Sequence, residues 1–256
     1  SFLSWPRYSL CMKEKAIALL KELTDAHSVP GYEDEVRAIF ADELGSVSGY
    51  LDSDKQGSVY LERGSESDAS GKESAYFAEG NGSNAISNGP RVLVAGHMDE
   101  VGFRVQHITP SGFLKFVPVG GWWTHNLLAQ RVIVRNRDGE KILGVISSTP
   151  PHFLSEAQRS KVLSIDELFV DIGASSAADA AMTFGISIGD PIAPATEFTA
   201  MNKPDHYMAK AFDNRVGMAC AIQAAQILAK EGDHPNTLIA AGTVQEEVGL
   251  RGAKSL

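Results

Sequence analysis

The chain has 256 residues, of which 43% are hydrophobic and 21% are charged, a composition typical of a globular protein with one large or two modest domains. Its formal net charge of −9 argues against nucleic acids and anionic membranes as partners, because a phosphate-rich partner favours a basic protein surface. The sequence contains no run of 18 or more apolar residues, so no transmembrane helix is predicted.

The first residues show no targeting signal. Residues 1–11 lack the basic start and apolar core of a signal peptide. Met12 is followed by Lys-Glu-Lys and resembles a natural start, so residues 1–11 are interpreted as an upstream or added extension. The two cysteines, Cys11 and Cys220, do not suggest a disulfide framework, which favours a reduced, cytoplasmic setting.

Two helices are predicted first, at residues 13–24 and 33–44, because their apolar residues recur along one side with charged residues elsewhere. Two short alternating segments, residues 47–51 and 58–62, predict strands. Residues 64–90 are rich in Ser, Gly, Asn and Glu and contain few apolar residues, which predicts a mobile surface loop.

Two apolar runs, residues 91–96 and 237–244, have no polar alternation, which predicts strands covered on both faces as in a parallel sheet. The segment at residues 215–230 is almost wholly apolar and predicts a buried helix. These elements together predict an α/β fold: a parallel-sheet domain built from residues 12–103 and 206–256.

A β-rich domain is predicted between these halves, at residues 104–205, because short apolar segments there alternate with turn residues at close spacing. Asp138-Gly139 indicates a hairpin, since this pair tolerates the positive φ of tight turns. The strands in and around this inserted domain are predicted at residues 103–107, 113–119, 131–136, 141–146, 168–172, 186–188 and 191–195.

His97 and Asp99 directly follow the first apolar run, at a strand end where open α/β sheets bind ligands. An imidazole there can bind a metal ion through one ring nitrogen while a nearby carboxylate holds the other nitrogen. The alternative is a histidine whose ring is satisfied by a backbone carbonyl in a tight turn.

Three more carboxylates adjoin the predicted elements. Asp213 precedes the buried helix, where an aspartate commonly caps the helix, although its two oxygens can also bridge two cations. Glu246 and Glu247 follow the second apolar run, where adjacent carboxylates are unfavourable unless cations or hydrogen bonds compensate; a solvated loop is the alternative. In such a pair one glutamate can bind a metal ion while the other accepts a proton from water.

The remaining histidines are weaker candidates, and packing or substrate-edge roles are expected for the two near the domain junctions, His125 and His206. The others, predicted in loops, turns or a strand, are His27, His107, His152 and His234. Trp122 and Trp123 are expected to be buried anchors. The sequence has no Gly-x-Ser-x-Gly nucleophile motif after a strand and no phosphate-cradling glycine loop.

Three ordered segments resemble the tetrahedral aminopeptidase (glutamyl aminopeptidase) family of two-metal peptidases, some members of which have been labelled cellulases or endoglucanases. The segments are Gly96-His97-Met98-Asp99-Glu100-Val101-Gly102, Ala211-Phe212-Asp213-Asn214-Arg215 and Gln245-Glu246-Glu247-Val248-Gly249-Leu250-Arg251-Gly252. Supporting matches are Val29-Pro30-Gly31-Tyr32-Glu33, Gly120-Gly121-Trp122 and Gln130-Arg131-Val132. The similarity runs from Met12 to the last residue, with the predicted loop at residues 64–90 as an unmatched insertion.

The resemblance implies a cytoplasmic metalloaminopeptidase with two divalent cations, which would be zinc, cobalt or manganese. It implies that His97 binds one metal ion, that Glu247 binds the second and that Asp213 bridges both. It further implies that Glu246 is the general base and that Asp99 holds His97. Short peptides would be the substrates, and the β-rich domain would serve oligomerisation into twelve-subunit tetrahedral particles.

In that family, one carboxylate and one histidine downstream of the Glu-Glu pair complete the two metal sites. This sequence reaches Leu256 before either position, so the C-terminal part of the catalytic domain is expected to be missing. Two alternatives therefore stay open. One is an assembly or scaffold subunit without peptidase activity. The other is hydrolysis of an acyl-amino or glycosidic bond, although glycosidases usually use two opposed carboxylates without such metals.

Overall fold

The computed structural model describes residues 5–64, 89–232 and 234–256, with side chains described for residues 12–64, 89–157, 159–232 and 234–256. The predicted mobile loop lies almost wholly outside the described residues. Among the described residues, no helix combines the length and the apolar character needed to cross a membrane. The chain forms two compact units, of which one is Glu100–Lys210 and the other contains the chain up to Asp99 and from Ala211 onward.

In chain order the helices and strands are α1 (Trp5–Asp25), α2 (Asp34–Leu44), β1 (Tyr50–Ser53), β2 (Val59–Arg63), β3 (Arg91–His97), β4 (Gly102–Ile108), β5 (Leu114–Val119), β6 (Arg131–Arg135), β7 (Lys141–Ser148), α3 (Glu156–Arg159), β8 (Leu168–Asp171), α4 (Ala177–Met182), β9 (Pro191–Pro194), β10 (Thr199–Ala200), β11 (Tyr207–Met208), α5 (Phe212–Glu231) and β12 (Thr237–Thr243).

The first unit contains a four-stranded sheet with the order β1-β2-β12-β3. Strands β12 and β3 are parallel, but β2 is antiparallel to both β1 and β12. The prediction of a parallel sheet is therefore correct for the β12–β3 pair and wrong for the β1–β2 side of the sheet. The reason is the short connection between β1 and β2, since two consecutive strands joined by a tight turn must run antiparallel. The Asp54 carboxylate holds that turn by accepting the backbone N–H groups of Gln56, Gly57 and Ser58.

The prediction that both apolar runs form strands covered on both faces is confirmed for β12, whereas β3 does not meet it within the described residues. Strand β12 lies between β2 and β3 and is buried over nearly its whole length. Strand β3 forms an edge of the described sheet, and its first three residues are exposed, with Leu93 at 55%. A run of apolar residues therefore identified the strand without showing its place in the sheet.

The core of the first unit forms where the helices pack on this sheet. Side chains from α1, α2 and α5, among them Leu23, Phe40 and Ile222, are fully buried in one cluster with Leu61 of β2. Helix α1 begins at Trp5, eight residues before the predicted start, whereas the regular part of α5 begins after Asn214, as predicted. Strand β1 begins later than predicted because the Val47 N–H group donates to the Leu44 carbonyl and continues the turn after α2.

Replacement of Gly96 by alanine is expected to destabilise the protein by about 1–3 kcal/mol, because the added methyl group overpacks a filled interface. A Cβ atom at Gly96 would lie 2.5 Å from the Met218 backbone nitrogen of α5, and backbone atoms cannot swing aside as a flexible side chain can. Urea unfolding followed by circular dichroism measures the effect. Gly121→Ala is the matched control, since a Cβ there meets no atom within 4 Å, and equal stability of the two variants would contradict this account.

The second unit is a closed barrel with the strand order β4-β5-β8-β7-β6-β9 around its own apolar core. The Asp138-Gly139 hairpin prediction is confirmed: β6 and β7 pair antiparallel across it, and Gly139 has a φ of 83°. The strand predicted at residues 186–188 is wrong. The Ile186 N–H group donates to the Ala180 carbonyl of α4 and the Ser187 N–H group to the Asp190 carboxylate, so this segment ends a helix instead of joining the barrel.

Candidate metal centre

The sheet brings two of the predicted site segments to one edge. His97 is the last residue of β3 and pairs with Thr243, the last residue of β12. Because these strands are parallel, the segments that follow them leave the sheet at the same edge, where α/β folds place ligands. The Met98 N–H group donates to the Thr243 carbonyl at 2.7 Å, so the two segments are also tied just beyond the strands.

The His97 ring has a different environment at each nitrogen. Its Nδ1 lies 2.9 Å from the Asp99 backbone carbonyl, and its Nε2 lies 3.1 Å from Asp213 Oδ1 and 3.7 Å from Glu246 Oε2. Both interpretations of His97 are therefore partly met, since one nitrogen contacts a backbone carbonyl while the other faces carboxylates. Burial alone lowers the pKa of His97, but the carboxylates of Asp99 and Glu246 outweigh burial and raise that pKa to about 9.

The Asp99 carboxylate is fully buried and holds the segment that carries the two glutamates. Its Oδ1 accepts the Glu246 N–H group at 2.9 Å, and its Oδ2 accepts the Glu247 N–H group at 3.0 Å. Its Oδ1 is 3.6 Å from His97 Nδ1, so the closer contact to the ring comes from the Asp99 carbonyl. Burial disfavours the charged carboxylate, yet His97 and the two N–H groups outweigh it and lower the pKa of Asp99.

Glu246 and Glu247 lie in an ordered turn, not in a solvated loop. The Glu246 carbonyl accepts the N–H groups of both Gly249 and Leu250 at 3.0 Å, and both glutamates are half-buried. Burial raises the pKa of Glu247. The charge of His97 opposes this rise, and the negative charges of Glu246, Asp99 and Asp213 add to it. This concentration of carboxylates is the electrostatic situation that a bound cation relieves.

Asp213 does not cap α5, so the first interpretation of this residue is wrong. Its side chain is 89% exposed and makes no capping hydrogen bond, and the residue itself has non-helical φ and ψ. The cap is instead Asn214, whose Oδ1 accepts the Gly217 N–H group at 2.9 Å. The Asp213 carboxylate is thereby left to face His97.

Asn214→Ala is expected to lower the free energy of unfolding by about 1 kcal/mol, because it removes the side-chain acceptor at the start of α5. Asn214→Asp keeps an acceptor oxygen at the same position and should retain most of the stability. Urea unfolding of both variants in EDTA measures the difference without any contribution from bound metal. Equal loss in the two variants would show that the capping hydrogen bond is not the cause.

The residues at this edge fit a divalent cation. His97, Glu246 and Glu247 each offer a ligand atom within 4.8 Å of the others, and Asp213 lies beside His97. Because the Asp99 carbonyl can only accept a hydrogen bond, His97 Nδ1 carries a proton, and in a neutral ring the Nε2 lone pair would point at carboxylate oxygens. A proton or a cation between them removes that repulsion. Imidazole and carboxylate ligands suit zinc, cobalt and manganese.

Two of the other histidines, His125 and His206, make local contacts, and neither belongs to this cluster. The His125 ring lies 4.5 Å from the Trp123 ring, and His206 Nδ1 lies 2.9 Å from the Pro204 carbonyl. The expectation of buried tryptophan anchors is met in part by Trp122, which is half-buried, stacks on Phe103 and donates its indole N–H to the Gly102 carbonyl. It is wrong for Trp123, which is exposed.

Glu33, to which no sequence motif assigns a role, lies in the electrostatic environment of Asp99. Its carboxylate is buried and accepts the Gly31 N–H group at 2.8 Å. Burial raises the pKa of Glu33, the backbone hydrogen bonds oppose this, and the negative charge of Asp99 adds to the rise. The signal available was its position in Val29-Pro30-Gly31-Tyr32-Glu33, a segment that supported the resemblance without indicating a function.

Comparisons with known proteins point to one family. A profile described as M42 glutamyl aminopeptidase matches residues 78–256. The glutamyl aminopeptidase of Lactococcus lactis subsp. cremoris (strain MG1363) is 34% identical over 236 residues, which are 92% of this chain and 61% of that protein.

Solved structures of aminopeptidases are also similar to this chain. The TET aminopeptidase of Thaumarchaeota archaeon SCGC AB-539-E09 has 39% identity and a TM-score of 0.79, covering 93% of this chain and 61% of that chain. The Pyrococcus horikoshii TET1 peptidase, described as assembling into a tetrahedron or a large octahedral shell, has 30% identity and a TM-score of 0.76, covering 94% and 64%. This chain therefore spans about three fifths of the length of the proteins that it matches.

Proposed function

We propose that this chain, which belongs to the M42 glutamyl aminopeptidase family, forms part of a metal-dependent aminopeptidase that removes N-terminal residues from peptides. The observation that carries the proposal is the meeting of His97 Nε2 with the carboxylates of Asp213 and Glu246 at the edge of the β12–β3 pair. The whole protein is larger than this chain if it has the length of its relatives, so its activity is proposed for the full-length protein.

Three side chains are proposed as metal ligands: His97 through Nε2, Glu247, and Asp213 as the bridge between two cations. His97 has only its Nε2 open to a ligand, because Nδ1 is engaged by the Asp99 carbonyl. The exposed Asp213 side chain has no capping role that would compete with metal binding. We propose that the full-length protein supplies one further carboxylate and one further histidine, which the chain's share of its relatives' length supports.

Glu246 is proposed as the general base. Divalent cations, when bound, polarise the scissile carbonyl and lower the pKa of the attacking water. Glu246 accepts the proton from that water and returns it to the amine nitrogen that leaves. Asp99 fixes the backbone of Glu246, so the base is held in place before substrate arrives. The number and identity of the metal ions, whether zinc, cobalt or manganese, are part of the proposal.

A homo-oligomer is also proposed, of the twelve-subunit type, with the barrel unit as the oligomerisation domain. The proposal is supported by similarity to a peptidase that is described as assembling into a tetrahedron or an octahedral shell. A cytoplasmic location stays a prediction from the cysteine usage, consistent with Cys220 being a free thiol.

The test is hydrolysis of amino-acid p-nitroanilides by the full-length protein, after dialysis against EDTA and reloading with Zn²⁺, Co²⁺ or Mn²⁺. Activity is expected with metal and a free α-amino group, and not with N-acetylated substrates. Cello-oligosaccharides and acyl-amino acids form the comparison panel. Activity on these alone would favour hydrolysis of another bond, and an oligomer without hydrolysis in excess metal would favour a scaffold.

A further inference from the structure

Glu100 and Lys210 form a buried ion pair within the second unit. Lys210 Nζ lies 2.6 Å from Glu100 Oε1, and the two side chains are 9% and 2% exposed. The Lys210 backbone is also fixed, since its N–H group donates to the Thr196 carbonyl at 3.0 Å, just beyond β9. These are the first and last residues of the unit, so the pair joins the points where the chain enters and leaves the barrel.

Each partner is covalently close to a residue of the candidate metal centre. Glu100 directly follows Asp99, and Lys210 comes three residues before Asp213. Because the Asp213 side chain is 89% exposed and caps nothing, few packing contacts fix its position, which depends mainly on the backbone that leads to it. Ala211, between Lys210 and Asp213, has a left-handed φ of 55°, a conformation that a non-glycine residue adopts only where its surroundings impose it.

The energetics of buried pairs do not favour a purely stabilising role. The free-energy cost of removing two charges from water offsets much of their attraction. A buried ion pair therefore often adds no more stability than apolar residues of similar volume. What a short, buried pair supplies is a fixed geometry. An exposed pair of the same unit, Lys161 with Glu167, shows the contrast: it spans 3.4 Å, and its side chains are 61% and 41% exposed.

We propose that the Glu100–Lys210 pair is a positioning element of the metal centre. It fixes the distance between the points where the chain enters and leaves the barrel. It thereby sets the positions of Asp99 and Asp213 relative to His97. Neither residue is catalytic, since both act through the backbone of their neighbours. The effect on turnover rests on the proposed function, whereas the effect on the position of Asp99 is measurable without it.

The experiment compares Lys210→Met, Lys210→Arg and Glu100→Gln in the full-length protein. Lys210→Met is expected to lower kcat by about 10–100-fold with KM changed less than about threefold, since small displacements of catalytic groups have effects of this size. The backbone amides of Glu246 and Glu247 should exchange with deuterium about tenfold faster, because their acceptor is the Asp99 carboxylate. Lys210→Arg keeps the charge and should restore most of both readouts.

Two further comparisons separate positioning from general stability. The double variant Glu100→Gln with Lys210→Met should be no worse than either single variant, because residues that act as a unit are not additive. Lys161→Met is the matched control, and its kcat and amide exchange should equal those of the parent. The visible spectrum of bound Co²⁺ reports ligand geometry and should change in Lys210→Met and in Glu100→Gln, but not in Lys161→Met.

The proposal is overturned if Lys210→Met retains parental kcat and parental exchange at Glu246 and Glu247. A lower unfolding temperature of that variant, with kcat and amide exchange both at parental values, overturns it as well. A parent protein that hydrolyses no peptide would contradict the proposed function, and the exchange of the two glutamate amides would still decide the positioning role.

Discussion

Glu246→Gln is expected to lower kcat by about 10²–10⁴-fold while the divalent metal content per chain stays at the parental value. Glutamine has nearly the same shape, and the Glu246 backbone is held by Asp99 and by the turn to Gly249, so the fold of this segment should survive. What is lost is a carboxylate that can accept a proton from water. Steady-state kinetics on an amino-acid p-nitroanilide and elemental analysis of the dialysed protein measure the two quantities.

Glu247→Gln is the matched control, because the two glutamates are adjacent in one turn and both backbone N–H groups bond to Asp99. Its loss of activity should follow its loss of metal and should be partly reversed by excess metal ions. Excess metal should not restore Glu246→Gln. If Glu246→Gln loses metal and turnover to the same extent, Glu246 is a ligand and the proposed division of roles is wrong.

The identity of most elements could be predicted from the sequence because their signals are local. The helix at residues 215–230, the hairpin at Asp138-Gly139 and the apolar strands were all visible as short-range patterns. The order and direction of the strands in the sheet could not be predicted in the same way, because they depend on which strands become neighbours. Strand β3 has the composition of a covered strand but lies at an edge of the sheet that the described residues form, and β2 pairs antiparallel with β12 across a long stretch of sequence.

The candidate site shows the same division between local and long-range information. His97, Asp99, Glu246 and Glu247 could be proposed because they follow apolar strands, and the parallel pairing of those strands explains why they meet. Capping was one of two possible roles for Asp213, because Asp213 and Asn214 are both good capping residues, and only the backbone geometry of the turn selects Asn214 as the cap. No sequence pattern indicated that the Asp99 carboxylate accepts hydrogen bonds from two backbone amides 147 and 148 residues away.

Asp99→Asn is expected to weaken divalent metal binding by about 10–100-fold and to lower the free energy of unfolding by about 1–3 kcal/mol. Asparagine has one acceptor oxygen, so it can bond to the N–H group of Glu246 or of Glu247 but not to both. Its NH₂ group would then face a buried N–H donor. The glutamate turn should loosen, and with it the positions of Glu247, the proposed ligand, and Glu246, the proposed base. Competition with a chelating dye measures metal affinity, and urea unfolding in EDTA measures stability.

Asp54→Ala provides the control that separates these two effects, because it removes the single oxygen, Oδ1, that accepts all three N–H groups of its turn. Asp54 is also a carboxylate whose oxygen accepts backbone N–H groups in a turn, but its turn joins β1 and β2 and carries no proposed ligand. This variant should lose stability and keep the parental metal affinity. If both variants weaken metal binding equally, the effect comes from general destabilisation. If Asp99→Asn binds metal as tightly as the parent, the carboxylate does not organise the centre, and the position of the two glutamates must be set by the turn from Val244 to Gly252 alone.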